Sequence, residues 1–112
     1  MISKDLIAAS SRPVVLSILA AGESYGYAII QEVSERSGGE VEWTEGMLYP
    51  VLHRLEKEGL ITSSWQVGDS GRRRKYYHLN KQGRTALAAE QSQWRVVDAL
   101  LGQLWNIKPC RT

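Results

Sequence analysis

The stretch TEGMLYPVLHRLEKEGLI (Thr44–Ile61) decides how this chain folds. Thr44 is a good N-cap, because its hydroxyl oxygen can accept a backbone N–H of the first helical turn. Leu48, Leu52 and Leu55 follow at i, i+4 and i+7, the spacing of one buried helix face. Gly59 suits the left-handed position just past the helix end, with Leu60 folded back onto Leu55. Pro50 is the awkward residue. It lacks a backbone donor and crowds the preceding turn, so a tightened or bent start is expected.

Working outward toward the C-terminus, Ile61–Val67 alternates, with Ile61, Trp65 and Val67 on one face of a strand. Gly68–Gly71 (GDSG) has the residues a loose turn needs, and Arg73–Leu79 returns as the second strand. The segment GRRRKYYHL (Gly71–Leu79) carries four consecutive cations, Arg72, Arg73, Arg74 and Lys75. Strand alternation sends these to both faces, so at least two reach outward whichever face packs. A charge run is also what a solvated surface looks like. Its placement is more telling: a helix followed at once by a cationic hairpin is the layout of a winged helix-turn-helix, whose hairpin can follow a phosphate backbone or enter a minor groove while the helix takes the major groove.

Toward the N-terminus, Pro13 suits the first turn of a helix running to about Ala21, with Gly22 as its stop. Val14, Val15, Ile18 and Leu19 form the buried face. Residues Met1–Ser11 either extend this helix or form a loose arm. Ser24 offers an N-cap for a second helix through about Arg36, ended by Gly38–Gly39. A short extended piece, Glu40–Trp43, leads into Thr44. Three short helices with such tight stops pack against one another as a helix-turn-helix core.

Beyond the hairpin, Asn80 caps a final helix reaching roughly Trp105, on the order of 35–40 Å long at the α-helical rise. Leu87, Trp94, Val97, Leu101 and Leu104 recur at heptad-like spacing, and Val96, Leu100 and Trp105 widen the stripe. Part of it covers the chain's own core; the remainder is an exposed apolar patch unless a second chain covers it. A homodimer built on this helix and the N-terminal segment is expected, against a helix folded back on its own domain. The fold class is therefore mainly α with a small β-hairpin: a winged helix-turn-helix over 1–79, its wing at 61–79, and a dimerisation helix with its tail over 80–112.

Composition narrows the function classes. The 112 residues suit one domain, and the net charge of +2 is too small to imply a partner by itself. Its distribution says more. Met1–Glu58 holds five Lys/Arg against nine Asp/Glu, whereas Gly59–Thr112 holds nine against three, so the positive field lies in the second half. Cys110 is the only cysteine, which excludes an intrachain disulfide framework and a thiolate zinc site. His53 and His78 lie on different elements, without a carboxylate at metal-ligand spacing. Val14–Ala21 is too short to span a bilayer, and a reducing, cytoplasmic setting is expected. With no nucleophile–base pair, phosphate-cradling glycine loop or metal cluster, neither an enzyme nor a cofactor is expected.

Four motifs in this order resemble the PadR family of transcriptional regulators over essentially the whole length: YGYAI (Tyr25–Ile29), LYPVLHRLEKEGLI (Leu48–Ile61), GRRRKYYHL, and the KQGR turn into the last helix. The short chain with a single C-terminal helix resembles the compact subfamily, whose members dimerise through that helix and repress transcription. The resemblance implies that Thr44, Tyr49, His53, Arg54 and Lys57 lie on the outer, DNA-facing side of the third helix. It implies that the Tyr49 hydroxyl meets a phosphate, that Arg72, Arg73 and Arg74 form the wing's contacts, and that Tyr76 and Tyr77 pack the hairpin onto the core. His53 and Arg54 suit base edges, while most other donors suit phosphates. Two departures alter the pattern: Met47 stands where family members often carry Thr or Ser, and Glu45 adds a negative charge at the helix start.

A symmetric dimer implies an inverted-repeat operator in double-stranded DNA, with half-sites roughly 34 Å apart or a multiple of that. Multidrug-binding members hold flat aromatic compounds between tryptophans of the paired C-terminal helices. Trp94 falls at the corresponding place, with Val97 and Leu101 beside it and Asp98 able to complement a cationic ligand. A small aromatic or phenolic effector is thus implied, and packing of the dimer core is the other role open to Trp94. Leu104 and Trp105 are expected in the dimer interface. The competing function is a winged-helix module that binds only protein.

Overall fold

The computed structural model describes residues 2–105; Met1 and the tail 106–112, with Cys110 and the end of the expected dimerisation segment, lie outside the described residues. The elements run α1 (Lys4–Ala20), β1 (Ser24–Tyr25), α2 (Gly26–Arg36), α3 (Glu45–Lys57), β2 (Ile61–Val67), β3 (Arg73–Leu79) and α4 (Lys81–Leu104). No helix among the described residues is long and apolar enough to cross a membrane.

Helix α3 follows its local signals closely. The Thr44 hydroxyl accepts the Met47 N–H at 3.2 Å. The N–H groups of Met47 and Leu48 both reach the Thr44 carbonyl, at 3.2 and 3.0 Å, so the turn before Pro50 is tight. Gly59 takes φ +82°. Leu60 N–H then donates to Leu55 O and Gly59 N–H to Glu56 O, each at 3.0 Å, which satisfies two carbonyls the helix would otherwise orphan.

Upstream, two expectations need correction. Helix α1 takes the extended of the two alternatives for the N-terminal segment, so Pro13 does not lie in its first turn. It starts at Lys4, where the Ser3 hydroxyl accepts the Leu6 N–H, and it carries Pro13 in its interior. A proline there costs on the order of 3 kcal/mol. Burial of Val15, Leu16 and Leu19 offsets this, and α1 passes through the centre of the molecule. Ser24 is likewise not an N-cap. Ser24 and Tyr25 form a short strand paired with Tyr77 and Tyr76, and α2 begins without a side-chain cap. The hairpin is thus part of a three-stranded sheet of order β1-β3-β2. The pairing satisfies backbone groups on the β3 edge, and the Tyr25 and Tyr76 rings meet edge-on at 5.2 Å.

The core joins Val15, Leu16 and Leu19 of α1, Ile29 and Val33 of α2, Trp43, the α3 face Leu48, Val51, Leu52 and Leu55, then Ile61, Tyr77 and Leu87. Tyr77 is the tyrosine that fixes the sheet to the core; Tyr76 is half-buried against β1. Trp65 and Val67 share the pleat face of Ile61 yet are exposed, because the hairpin runs out past the helices it packs on. Only Ile61 of that face is buried.

The root of α4 is fastened twice. Asn80 Oδ1 accepts the Gly83 N–H and its Nδ2 donates to Gly59 O, both at 2.8 Å. Gly83 lies so close to the Leu60 carbonyl and the Leu79 side chain that a methyl group would collide with both. Farther along, Leu87 enters the core, and from Gln91 to Leu100 every residue is exposed. The described molecule is accordingly elongated, 53 × 30 × 24 Å.

Candidate nucleic-acid interface

The tight start of α3, the uncapped start of α2 and the outer half of the wing converge on one cleft of about 590 Å³. Its walls include Tyr25, Gly26, Tyr27, Glu45, Tyr49, Trp65 and the run Arg72–Lys75. Gly26 and Tyr49, far apart in sequence, meet here because α3 crosses the first turn of α2. A Cβ on Gly26 would lie 2.5 Å from the Tyr49 hydroxyl, so only glycine lets the tyrosine lie over that turn. Backbone N–H groups of a helix start, a phenol and three guanidinium groups all suit phosphate oxygens.

The cations are held by aromatic faces. The Arg74 guanidinium lies 4.5 Å from the centre of the Tyr25 ring, and that of Arg73 lies 5.1 Å from the Trp65 ring. Lys75 Nζ is 5.8 Å from the Tyr77 ring. Such stacking restrains a guanidinium without consuming its hydrogen-bond donors, so its edge stays available to an anion. A hydrogen bond with Tyr76 is the main cause that raises the Arg74 pKa above its ordinary value. That group stays charged at any pH of interest.

Of the residues expected to face DNA, Tyr49, Arg72, Arg73 and Arg74 come together around the cleft. His53, Arg54 and Lys57 are exposed on α3 but do not line it. Thr44 is exposed too, with its hydroxyl oxygen already serving as the cap of α3. Met47 is not on the outer side at all; it packs against the core, whereas Glu45 does line the cleft. Sequence reasoning missed Tyr25, Tyr27, Trp65 and Lys75 as cleft residues. The Tyr-Gly-Tyr run was visible as a motif, but its position over α3 depends on the unforeseen β1 pairing.

A second concavity lies between α1 and α2. It is a largely apolar groove of about 700 Å³ whose walls include Pro13, Val14, Ile18, Val33, Trp43 and Trp94. Trp43 is buried, and its indole N–H has no hydrogen-bond partner among the described residues. Trp94 reaches this groove while remaining 37 % exposed; Val97, Asp98 and Leu101 do not line it. Leu104 and Trp105 stand 69 % and 65 % exposed at the helix end.

Comparison with known proteins agrees with this architecture. The profile of the Transcriptional regulator PadR-like family matches residues 15–89. A transcriptional regulator of Mycobacterium tuberculosis is 41% identical over 83 residues, covering 74% of each chain. Among solved structures, a transcriptional regulator from Clostridium thermocellum superposes with a TM-score of 0.83 at 28% identity, covering 92% of this chain and 97% of that one. A PadR family regulator from Eggerthella lenta gives 0.78 at 31% identity, covering 93% and 88%. The shared winged-helix fold, the family match from α1 into α4 and these relatives lead to one conclusion: the chain belongs to the PadR-like family of transcriptional regulators, which bind DNA.

Proposed function

We propose that this regulator is a ligand-responsive, homodimeric repressor that acts in the cytoplasm on an inverted-repeat operator. The observation that carries the DNA part is the cleft in which Tyr49 faces Arg72, Arg73 and Arg74 beside the exposed side of α3. In this reading α3 enters the major groove. Tyr49 and the wing arginines hold phosphates, while His53 and Arg54 approach base edges, Lys57 adds a phosphate contact near the helix end, and Thr44 fixes the helix start. With so few base-reading groups, half-site spacing and DNA shape contribute much of the specificity.

The dimer follows from α4. Val97, Leu100, Leu104 and Trp105, with the half-buried Leu101 beside them, form an apolar surface that one chain leaves largely uncovered, and a second copy offers the same stripe in return. Trp94, between that stripe and the groove on α1, is where a flat aromatic or phenolic effector would act, with Asp98 one turn away to complement a cation.

The deciding experiment is a gel-shift titration with DNA from upstream of the regulator's own gene over a range of salt concentrations. Affinity should fall steeply with salt, as counterion release requires. Absent binding, or binding indifferent to salt, would make this a protein-binding module instead. For the effector, Trp94→Ala should reduce the binding of a planar aromatic dye while DNA affinity holds. Loss of the dimer alone would assign Trp94 to packing.

A further inference from the structure

One ion-pair cluster lies away from the cleft and touches three helices. Arg12 of α1 donates from Nε to Glu90 of α4 at 2.5 Å, and its Nη1 lies 2.8 Å from Glu58, the residue that ends α3. Glu90 is the more sheltered carboxylate, with 19% of its side chain exposed against 40% for Glu58. Burial disfavours the Arg12 charge, but hydrogen bonds and attraction from Glu58 and Glu90 outweigh it, so its pKa lies above the ordinary value.

The position of Glu90 gives the cluster its interest. It is the last partly buried residue of α4 before the exposed run Gln91–Leu100. Among the described residues it is also the outermost polar tie between that helix and the body. Asn80 and Gly83 fix the root of α4, two helical turns nearer the start. A rod fixed near one end pivots, and a second attachment at Glu90 removes that freedom. Arg12 reaches the end of α3 with the same guanidinium. Trp94 follows Glu90 by one turn and shares the apolar groove with Pro13, the neighbour of Arg12.

We propose that Arg12 is a positioning residue: by gripping Glu58 and Glu90 together it locks the angle between α4 and α3. In a dimer built on α4 this angle sets the separation of the two DNA-reading helices. A ligand that displaces Trp94 would pull on Glu90 and so reach α3 through Arg12. This role rests on the dimeric DNA-binding reading for its consequence, but the lock itself is a property of one chain and can be tested alone.

The test uses the full chain carrying Cys110→Ser, with Lys57→Cys on α3 and Gln103→Cys on α4 bearing nitroxide labels. Distances are read by double electron–electron resonance, with excess unlabelled protein so that only pairs within one chain contribute. The parent should give one narrow distance distribution, and Arg12→Gln a broadened one. Glu90→Gln, which leaves the Arg12–Glu58 contact in place, should broaden it too and decides the matter if Arg12→Gln fails to fold. Unlabelled variants are then compared on the footprinted upstream DNA, cut to contain one or two half-sites. Their preference for two half-sites over one should fall about two- to fivefold, the range for a partly exposed ion pair. Unchanged distributions in both variants would overturn the lock. Equal losses on one and two half-sites would overturn its role in spacing. A parent that binds no DNA would remove the regulatory reading and leave the distance result to judge Arg12.

Discussion

Leu52 and Leu104 show how differently two regions of this molecule treat the same side chain. Both lie in apolar stripes at helical spacing. Leu52 is fully buried in the core, while Leu104 stands 69% exposed near the end of α4. The winged-helix body closes its own core with three helices, a small sheet and the first two turns of α4. The outer half of α4 carries an apolar stripe of its own, and beyond Trp94 most of it stays exposed. The body therefore explains how one chain folds, and the outer helix carries the surface on which the proposed dimer rests.

The largest expected effect breaks the body. Leu52→Ala should cost about 2–5 kcal/mol of folding stability in urea denaturation, since it leaves a cavity at the centre of the core. Leu104→Ala should cost the fold far less, and should weaken self-association in sedimentation analysis instead. Equal losses of stability would erase the distinction between the regions. Next comes the joint between them. Asn80→Ala removes the cap of α4 and the donor to Gly59 O at once, for about 1–3 kcal/mol.

On the DNA side of the body, Tyr49→Ala and Arg73→Ala should each weaken operator binding by roughly tenfold at low salt. Both dimers should remain intact, and a lost phosphate contact should lower the salt slope by about one. Unchanged affinity in both variants would remove the proposed cleft from DNA binding. The smallest effect concerns Tyr77. Burial raises its pKa above the ordinary value near 10, with Tyr49 and Glu56 adding to the shift. A raised pKa means that the unfolded chain loses its proton first, so this stability is complete below about pH 10 and is lost as pH climbs through the folded value. Tyr77→Phe should flatten that alkaline decline, while the outer half of α4 contributes nothing to it.

What was legible in the sequence was whatever local chemistry determines. Thr44, Gly59 and Asn80 announce element ends through groups that act within a few residues, and the hairpin limits Ile61–Val67 and Arg73–Leu79 match the structure. What escaped depends on partners distant in the chain. Two residues at Ser24–Tyr25 become a strand only because β3 has a free edge beside them. Pro13 reads as a helix start by propensity, but tertiary burial carries α1 through it. Leu16, fully buried, lies beside the face its neighbours define, because α1 is covered from more than one side.

The site divides the same way. Tyr49 and Arg72–Arg74 could be singled out from motifs, whereas the seating of Tyr49 over Gly26 depends on the crossing of α2 and α3. Trp65 shares a strand face with the buried Ile61, as alternation indicates, but it stacks against Arg73 because the hairpin outruns the surface it packs on.

The four tryptophans are distributed with useful economy. Trp43 is in the core, Trp65 on the wing, Trp94 beside the groove and Trp105 at the end of α4. With only Trp43 buried among them, the molecule carries an intrinsic emission reporter in each of these four regions. Chains retaining one indole at a time would let fluorescence follow unfolding and test the proposed DNA contact, ligand capture and pairing as separate signals, without any added dye.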